Sequence, residues 1–376
     1  MTWSAIAPSN LALIKYMGKK DFPESSQKAV LDSLQNKPES TFSNYLYIPL
    51  TLLKHLTSEL EDRFWFENMS LNPSLSWTLS HFISQVKIEE SFERDTWKAF
   101  ENNVFEKKKL YQSSHKLNFK FKLSLKEQKR FLDFFYFLKK ALKIPGYYQI
   151  SSQNNFPKST GIASSSSSFS ALTMATYKLA LDKSLLEKDK FRLIKKQFLA
   201  HLSRVGSGSS CRSFFSPWCL WDNYKIYSFE TPFSSLSHQL ILIELTDKKI
   251  SSSLAHQRVK TSSQFSSRAE RAFERLNSLK TSFNLKDWSS CFSIVKEEFL
   301  DMHSLFESSL PAFSYQNEHS QKVIDFIKDF WKKRKDGPLM TMDAGSNVHL
   351  LYRKDQKNMR VEILKSLSEF NILTSL

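Results

Sequence analysis

Glycine is scarce in this chain, and its placement is uneven. Of the seven glycines in 376 residues, four fall in three short polar segments, each flanked by strand or helix signals. Glycines gathered in this way mark places where the backbone turns tightly or comes close to a ligand. The segments are 157–169 (PKSTGIASSSSSF), 203–215 (SRVGSGSSCRSFF) and 341–352 (TMDAGSNVHLLY).

In the first segment a strand over 147–151 leads through a loop into small hydroxyl residues that open a helix. That order sets free backbone N–H groups and the positive end of a helix dipole around a phosphate, with serine hydroxyls for a phosphate or a magnesium ion. It is not a Walker-type loop, because the G-x-x-x-x-G-K-[ST] spacing and its lysine are absent. Read alone, the serine run also fits a low-complexity linker, but the apolar helical residues Phe169, Leu172, Met174 and Ala175 follow at once.

The second segment has two glycines separated by one serine, which lets the backbone approach a ligand, and Arg212 beyond them offers a two-pronged donor to carboxylate or phosphate. A tight turn carrying a surface arginine gives the same spacing. In the third, Asp343 stands between an apolar strand and a glycine turn, as a candidate base or orienting group, or as a turn cap. A fourth element is the N-terminal APSNLALIKYMGKKD, where Lys15, Tyr16 and Lys19 give two cations and a phenol suited to a polyanion, or lysines lying along the surface.

Composition narrows the class. Hydrophobic residues make up 41% and charged residues 24%, which excludes a largely disordered or collagen-like chain. The net charge of +16 favours anionic ligands without choosing among phosphates, nucleic acid and anionic lipid. The basic clusters 107–109 and 116–122 read as solvated helix faces, and no RNA-binding motif accompanies them. Three cysteines, without metal spacing, argue against a disulfide framework or a zinc site. The N-terminus lacks signal-peptide features and no apolar stretch is long enough to span a bilayer, so the expectation is a cytoplasmic protein with no membrane partner.

Along the chain, the pattern predicts a strand over 4–15, a polar segment over 21–44, a helix over 45–60 and an aromatic strand over 63–66. Residues 88–148 are charged and aromatic by turns, with a helical pattern through 131–142. Helices follow from 164 and over 198–204, 263–279, 287–306 and 321–334. A buried strand is expected at 240–245 and a strand–turn–strand around 340–352.

Taken in order, APSNLALIKYMGK, EDRFWFEN, SSQNNFPKSTGIASSSSSF, GSGSSCRS, DKKISSS, the helix with DMHS, and MDAGSN resemble the mevalonate diphosphate decarboxylase family. That family lies in the superfamily of galactokinase, homoserine kinase, mevalonate kinase and phosphomevalonate kinase. The resemblance covers roughly 1–20, 60–70 and 148–376, whereas 21–59 and 71–147 match poorly. Met17 stands where the family has Trp, and Ser346 where it has Pro.

The resemblance implies the two-domain α+β fold of that superfamily, with an ATP-binding domain over 1–222, an α+β domain over 223–376 and the site in the cleft between them. It implies ATP and Mg²⁺ at Gly161, Ser164, Ser165 and Ser166, with no further protein ligand to the metal identifiable. Substrate would be met by Lys15, Tyr16, Lys19, Ser207, Gly208, Ser209 and Arg212, and chemistry would rest on Asp343, Lys15 and Arg212. The implied reaction turns mevalonate 5-diphosphate into isopentenyl diphosphate through 3-phosphorylation, in a homodimer. The alternatives are a decarboxylase or 3-kinase acting on mevalonate or its monophosphate, and a non-catalytic basic binding protein, with nucleic acid the less expected partner.

Overall fold

The computed structural model describes residues 1–20, 66–100, 110–115, 123–157, 162, 164–186, 195–223, 225–243 and 250–376. The elements are β1 (Thr2–Ile14), β2 (Ser74–Ser91), β3 (Thr96–Ala99), β4 (Tyr111–Ser113), α1 (Leu125–Ala141), β5 (Tyr147–Asn154), α2 (Ser164–Asp182) and α3 (Lys195–Gly206). A 3₁₀ turn (Gly208–Phe214) leads to β6 (Trp218–Asp222), β7 (Lys225–Ser228) and β8 (Ser237–Leu242). Then come α4 (Ser252–Arg258), α5 (Arg268–Asn284), α6 (Trp288–Glu307), α7 (Glu318–Arg334), β9 (Leu339–Thr341), β10 (Val348–Tyr352), α8 (Lys357–Ser366) and β11 (Asn371–Ser375).

Two sheets organise these elements. The six-stranded sheet runs β3-β5-β2-β6-β7, with β1 pairing along β2, and the five-stranded sheet runs β4-β11-β8-β10-β9. Helices α1, α2 and α3 cover the first sheet and share a core with its Trp3, Val86, Tyr148 and Ile150. Helices α5, α6 and α7 join the second sheet in the largest core. The long antiparallel pair β1–β2 belongs to both cores: Ala5, Ala7, Val86 and Ile88 face the first, and Leu11, Leu13, Leu75 and Leu79 the second.

The first half of β1 alternates between the two faces, with Trp3, Ala5 and Ala7 buried. Its register shifts between Pro8 and Ser9, the kind of bulge at which a strand tolerates proline, and from Ser9 to Ile14 every residue is buried. That bulge turns the strand's end into the interior, where Lys15 follows.

Residues 71–147, where the family resemblance is poor, contain the longest strand of the described residues. The pattern hides it because β2 is covered on both faces: Ser74, Ser76 and Thr78 are buried, their hydroxyls donating to the carbonyls of Ile14, Cys219 and Phe215. The helix expected from residue 164 is α2, in which Ser166, Ser167, Ser168 and Ser170 are buried and hydrogen-bonded. The serine run is therefore an internal polar seam and not a linker. Expected elements at 198–204, 263–279, 287–306, 321–334 and 340–352 correspond to α3, α5, α6, α7 and β9–β10, while the buried strand near 240–245 starts earlier, at Ser237.

The aromatic strand expected over 63–66 is not seen at Phe66, which is helical and is followed by a turn at Glu67 and Asn68. Residues 63–65, the polar segment 21–44, the helix over 45–60 and the basic clusters 107–109 and 116–122 lie outside the described residues, as does Gly161. Two short strands cross position 222 in the chain: β4 joins the second sheet and β7 the first. Among the described residues, no helix is long and apolar enough to cross a membrane.

Candidate active site

The end of β1, the start of α2, the 3₁₀ turn after α3 and the loop after β9 meet around a cavity of about 240 Å³. Lys15, Tyr16, Lys19, Ser164, Ser165, Ser207, Gly208, Ser209, Arg212 and Asp343 all line it.

Lys15 is buried, and its ammonium donates to Asp343 Oδ1 at 2.7 Å and to the Ala12 carbonyl at 2.6 Å. Its backbone is fixed by ions from another layer. The Lys15 N–H donates to Glu298 Oε1 at 2.9 Å, and its carbonyl accepts from Asn72 Nδ2 at 2.9 Å and Arg268 Nη2 at 3.3 Å. Arg268 and Glu298 are both fully buried and form a two-pronged pair, to which Asp301 and Arg275 add further contacts. Burial lowers the Lys15 pKa, against the pull of Asp343.

Asp343 follows β9 in a turn that Gly345 closes by donating its N–H to the Asp343 carbonyl at 2.8 Å. His303 Nε2 lies 3.3 Å from the same oxygen, so the tautomer protonated there donates to it. The side chain is about 19% exposed, which leaves the carboxylate open to the cleft. Burial acts to raise its pKa, but the charges of Lys15, His349 and Arg212 and the Lys15 hydrogen bond outweigh this and hold it below the usual range. Asp343 is therefore ionised at neutral pH.

Arg212, at the end of the 3₁₀ turn, is 3% exposed and donates from Nη1 to Ser74 Oγ at 2.6 Å. Its Nε is buried with no hydrogen-bond partner, and no carboxylate pairs with it among the described residues. A buried guanidinium so placed calls for an anion. Gly208 lies against Tyr16: a Cβ there would stand 2.7 Å from Tyr16 Oη. Tyr16 is packed on Trp221 and His256, with ring centroids 4.9 and 4.5 Å away. Lys19 donates to Asn68 Oδ1 at 2.5 Å.

The serines at the start of α2 divide. Ser164 and Ser165 line the cleft, and Ser165 Oγ lies 3.2 Å from Ser207 Oγ. Ser166 turns the other way: it is fully buried, accepts from Asn10 Nδ2 at 2.7 Å and donates to the Ser209 carbonyl at 2.8 Å. It braces the second glycine segment against the first and is not available to a ligand.

Several lining residues escaped the sequence reading. Arg130 of α1, whose guanidinium donates to the Gly206 carbonyl at 2.8 Å, lies outside the basic clusters read as solvated and was given no role. Asn68 takes a positive φ of 54° and ties its side chain to the carbonyls of Arg204 and Val205. Ser251, Ser252 and His256 lie in or just beyond the stretch DKKISSS, whose resemblance was visible although no role was drawn from it. Among the described residues no group of three or more His, Cys, Asp or Glu is placed to hold a metal ion; the hydroxyls of Ser164 and Ser165, together with ligand phosphates, suit a magnesium ion that keeps its waters.

Fold and site together define a class: two-sheet α+β proteins whose cleft gathers cations, serine hydroxyls, a helix N-terminus and one carboxylate in a lining suited to a polyanion. A family model described as diphosphomevalonate decarboxylase-like N-terminal domain matches residues 66–226, including the stretch with poor visible resemblance. A second, described as mevalonate 5-diphosphate decarboxylase C-terminal domain, matches 239–374. A mevalonate diphosphate decarboxylase from Legionella pneumophila is 36% identical in its crystal structure, with a TM-score of 0.77, covering 99% of this chain and 100% of that one. The chain belongs to the mevalonate diphosphate decarboxylase family.

The diphosphomevalonate decarboxylase of Debaryomyces hansenii is 28% identical over 225 residues, 56% of this chain and 55% of that one, so the match spans about half of that relative's length. The protein designated MDDEF, solved in complex with MVAPP, AMPPCP and magnesium, shares the fold with a TM-score of 0.70 at 22% identity, covering 100% of this chain and 97% of that one.

Proposed function

We propose that the protein is an ATP- and Mg²⁺-dependent decarboxylase of mevalonate 5-diphosphate. The observation that carries this reading is the Lys15–Asp343 pair opening on a cleft whose other charged lining residues among those described, Lys19, Arg130 and Arg212, are all cations. Family membership, and the complex of MDDEF with MVAPP, AMPPCP and magnesium, support the choice of ligands.

In the first step Asp343 orients the tertiary hydroxyl of the substrate and receives its proton, while that oxygen attacks the γ-phosphorus of ATP and ADP leaves. Positioning and charge neutralisation dominate such a transfer, and the cleft supplies both through the N-terminus of α2, Ser164, Ser165 and the surrounding cations. Magnesium, when bound, neutralises charge on the phosphates. In the second step the tertiary C–O bond breaks and its electron pair leaves with phosphate. The carboxylate C–C bond breaks in turn, its pair forming the new C=C bond and releasing carbon dioxide. Lys15 and Arg212 stabilise the departing phosphate and hold the substrate's anionic groups, with Ser207, Gly208, Ser209, Tyr16 and Lys19 around the diphosphate.

The pure protein is incubated with ATP, Mg²⁺ and mevalonate, its monophosphate or its diphosphate, while ADP and carbon dioxide are followed. Equal ADP and carbon dioxide from the diphosphate are expected. ADP without carbon dioxide would mean a 3-kinase, and no turnover of any of the three would overturn the enzyme assignment. We also infer a cytoplasmic homodimer divided near residue 222, and light scattering of the purified protein tests the dimer.

A further inference from the structure

A second cavity, of about 540 Å³, shares no described lining residue with the active cleft. It lies between the middle of β2, the start of β8 and the entry to α8. Its size falls in the range of small-molecule sites.

Its side-chain charge is one-sided, and Leu376, whose terminal carboxylate is the anionic group on the described lining, also borders it. Arg353, Lys354, Lys357 and Arg360 line it, and none of the described lining residues is Asp or Glu. Arg353 is already held by Asp336 and Asp355. Lys354, Lys357 and Arg360 form no ion pair among the described residues, and Arg360 has only a 3.4 Å contact to the Ser375 carbonyl. Lys357 and Arg360 also stand in the first turn of α8, which continues directly from a 3₁₀ turn (Lys354–Gln356) that carries Asp355. An anion in the cavity relieves the crowding of these cations.

The interior wall of the cavity is polar but uncharged. His81 and His238 line it, 7% and 1% exposed, and they continue inward as a chain of rings. His81 Nε2 lies 2.9 Å from His238 Nδ1, and His238 Nε2 lies 3.0 Å from His349 Nδ1. Trp77 and Leu236 add apolar surface on the same wall.

We propose that this cavity is a second ligand site, for a small organic phosphate. Lys354, Lys357 and Arg360 take the phosphate, and Trp77 and Leu236 cover its apolar part.

The test follows the ring ¹⁵N resonances of His81 while inorganic phosphate or phenyl phosphate is titrated into the full chain. Saturable shifts are expected in the wild type and in Arg212→Gln, in which the active cleft is weakened, with phenyl phosphate binding more tightly than inorganic phosphate. The double variant Lys357→Ala/Arg360→Ala loses at least about tenfold in affinity, while its turnover in the absence of phosphate probes stays at the wild-type level. Lys354→Ala shows a smaller loss in the same direction. No saturable shift at millimolar probe, full affinity in the double variant, or loss of binding in Arg212→Gln would each overturn the proposal. Equal affinity for the two probes would remove the apolar half of it. The resonance shifts and affinities do not depend on which mevalonate derivative, if any, is turned over.

Discussion

The ammonium of Lys15 and Oδ1 of Asp343 stand 2.7 Å apart, joining the end of β1 to the loop after β9. Neither residue is placed by local sequence. The bulge in β1 delivers the lysine, the turn closed by Gly345 delivers the acid, and each holds the other charged in a largely buried place.

Replacing Asp343 with Asn keeps the shape but removes the proton acceptor. Turnover is expected to fall on the order of 10²–10⁴-fold, with nucleotide binding retained. Steady-state kinetics beside a nucleotide titration check this, and unchanged turnover would remove Asp343 from the chemistry.

Arg212→Gln deletes the buried cation that has no carboxylate partner. Loss of one charged hydrogen-bonding group costs about 1.5–3 kcal/mol, so kcat/KM is expected to fall roughly 10- to 100-fold. The folded state is expected to tolerate the change, since Asp343 keeps its ion pair with Lys15.

In Gly208→Ala the added methyl meets Tyr16 at less than 3 Å, and the ring is already wedged between Trp221 and His256. The turn or the ring has to move. An increased KM with a smaller change in kcat is expected from substrate titrations, because the displaced groups bind and do not react.

Glu298→Gln leaves Arg268 fully buried without its main counter-charge. Breaking such a pair costs about 3–5 kcal/mol, visible as a lower denaturation midpoint. Because Glu298 also receives the Lys15 N–H, activity measured well below the new midpoint is expected to fall as well. Wild-type activity there would show that the ion cluster is scaffolding alone.

Burial depresses four imidazoles: His81 and His256 to about 3, His303 to about 4 and His238 well below its ordinary value. A depressed group contributes stability that is present above its unfolded pKa of about 6.5 and lost as pH falls towards the folded value. Thermal stability should therefore decline from about pH 6.5 downward, by about 1 kcal/mol per histidine near pH 5.5. Asp343, held below its ordinary range, keeps its charge throughout that interval, so activity lost there tracks unfolding. Melting curves and initial rates over the same pH series separate the two.

Much of the site was legible because its chemistry sits in short segments with unusual composition. Lys15, the serines opening α2, Gly208, Arg212 and Asp343 each stood in a motif, and the structure gathers them round one cavity. Ser166 was indistinguishable from its neighbours in sequence, since only the helical rotation turns it inward to Asn10. Arg130 and Asn68 reach the cleft from elements whose local pattern describes their own packing and says nothing of what lies opposite. Strand β2 escaped notice because polarity predicts exposure, whereas Ser74, Ser76 and Thr78 are buried and satisfied by carbonyls far along the chain.

The shared hairpin of β1 and β2 bears on how the molecule comes apart. Each strand contributes side chains to both interiors, so melting one interior strips packing from the other. A fragment truncated after Asp222 would leave Leu11, Leu75 and Trp218 without α5–α7 and β8–β10 over them. Such a fragment is expected to aggregate, and the full chain to unfold in a single transition with no stable half.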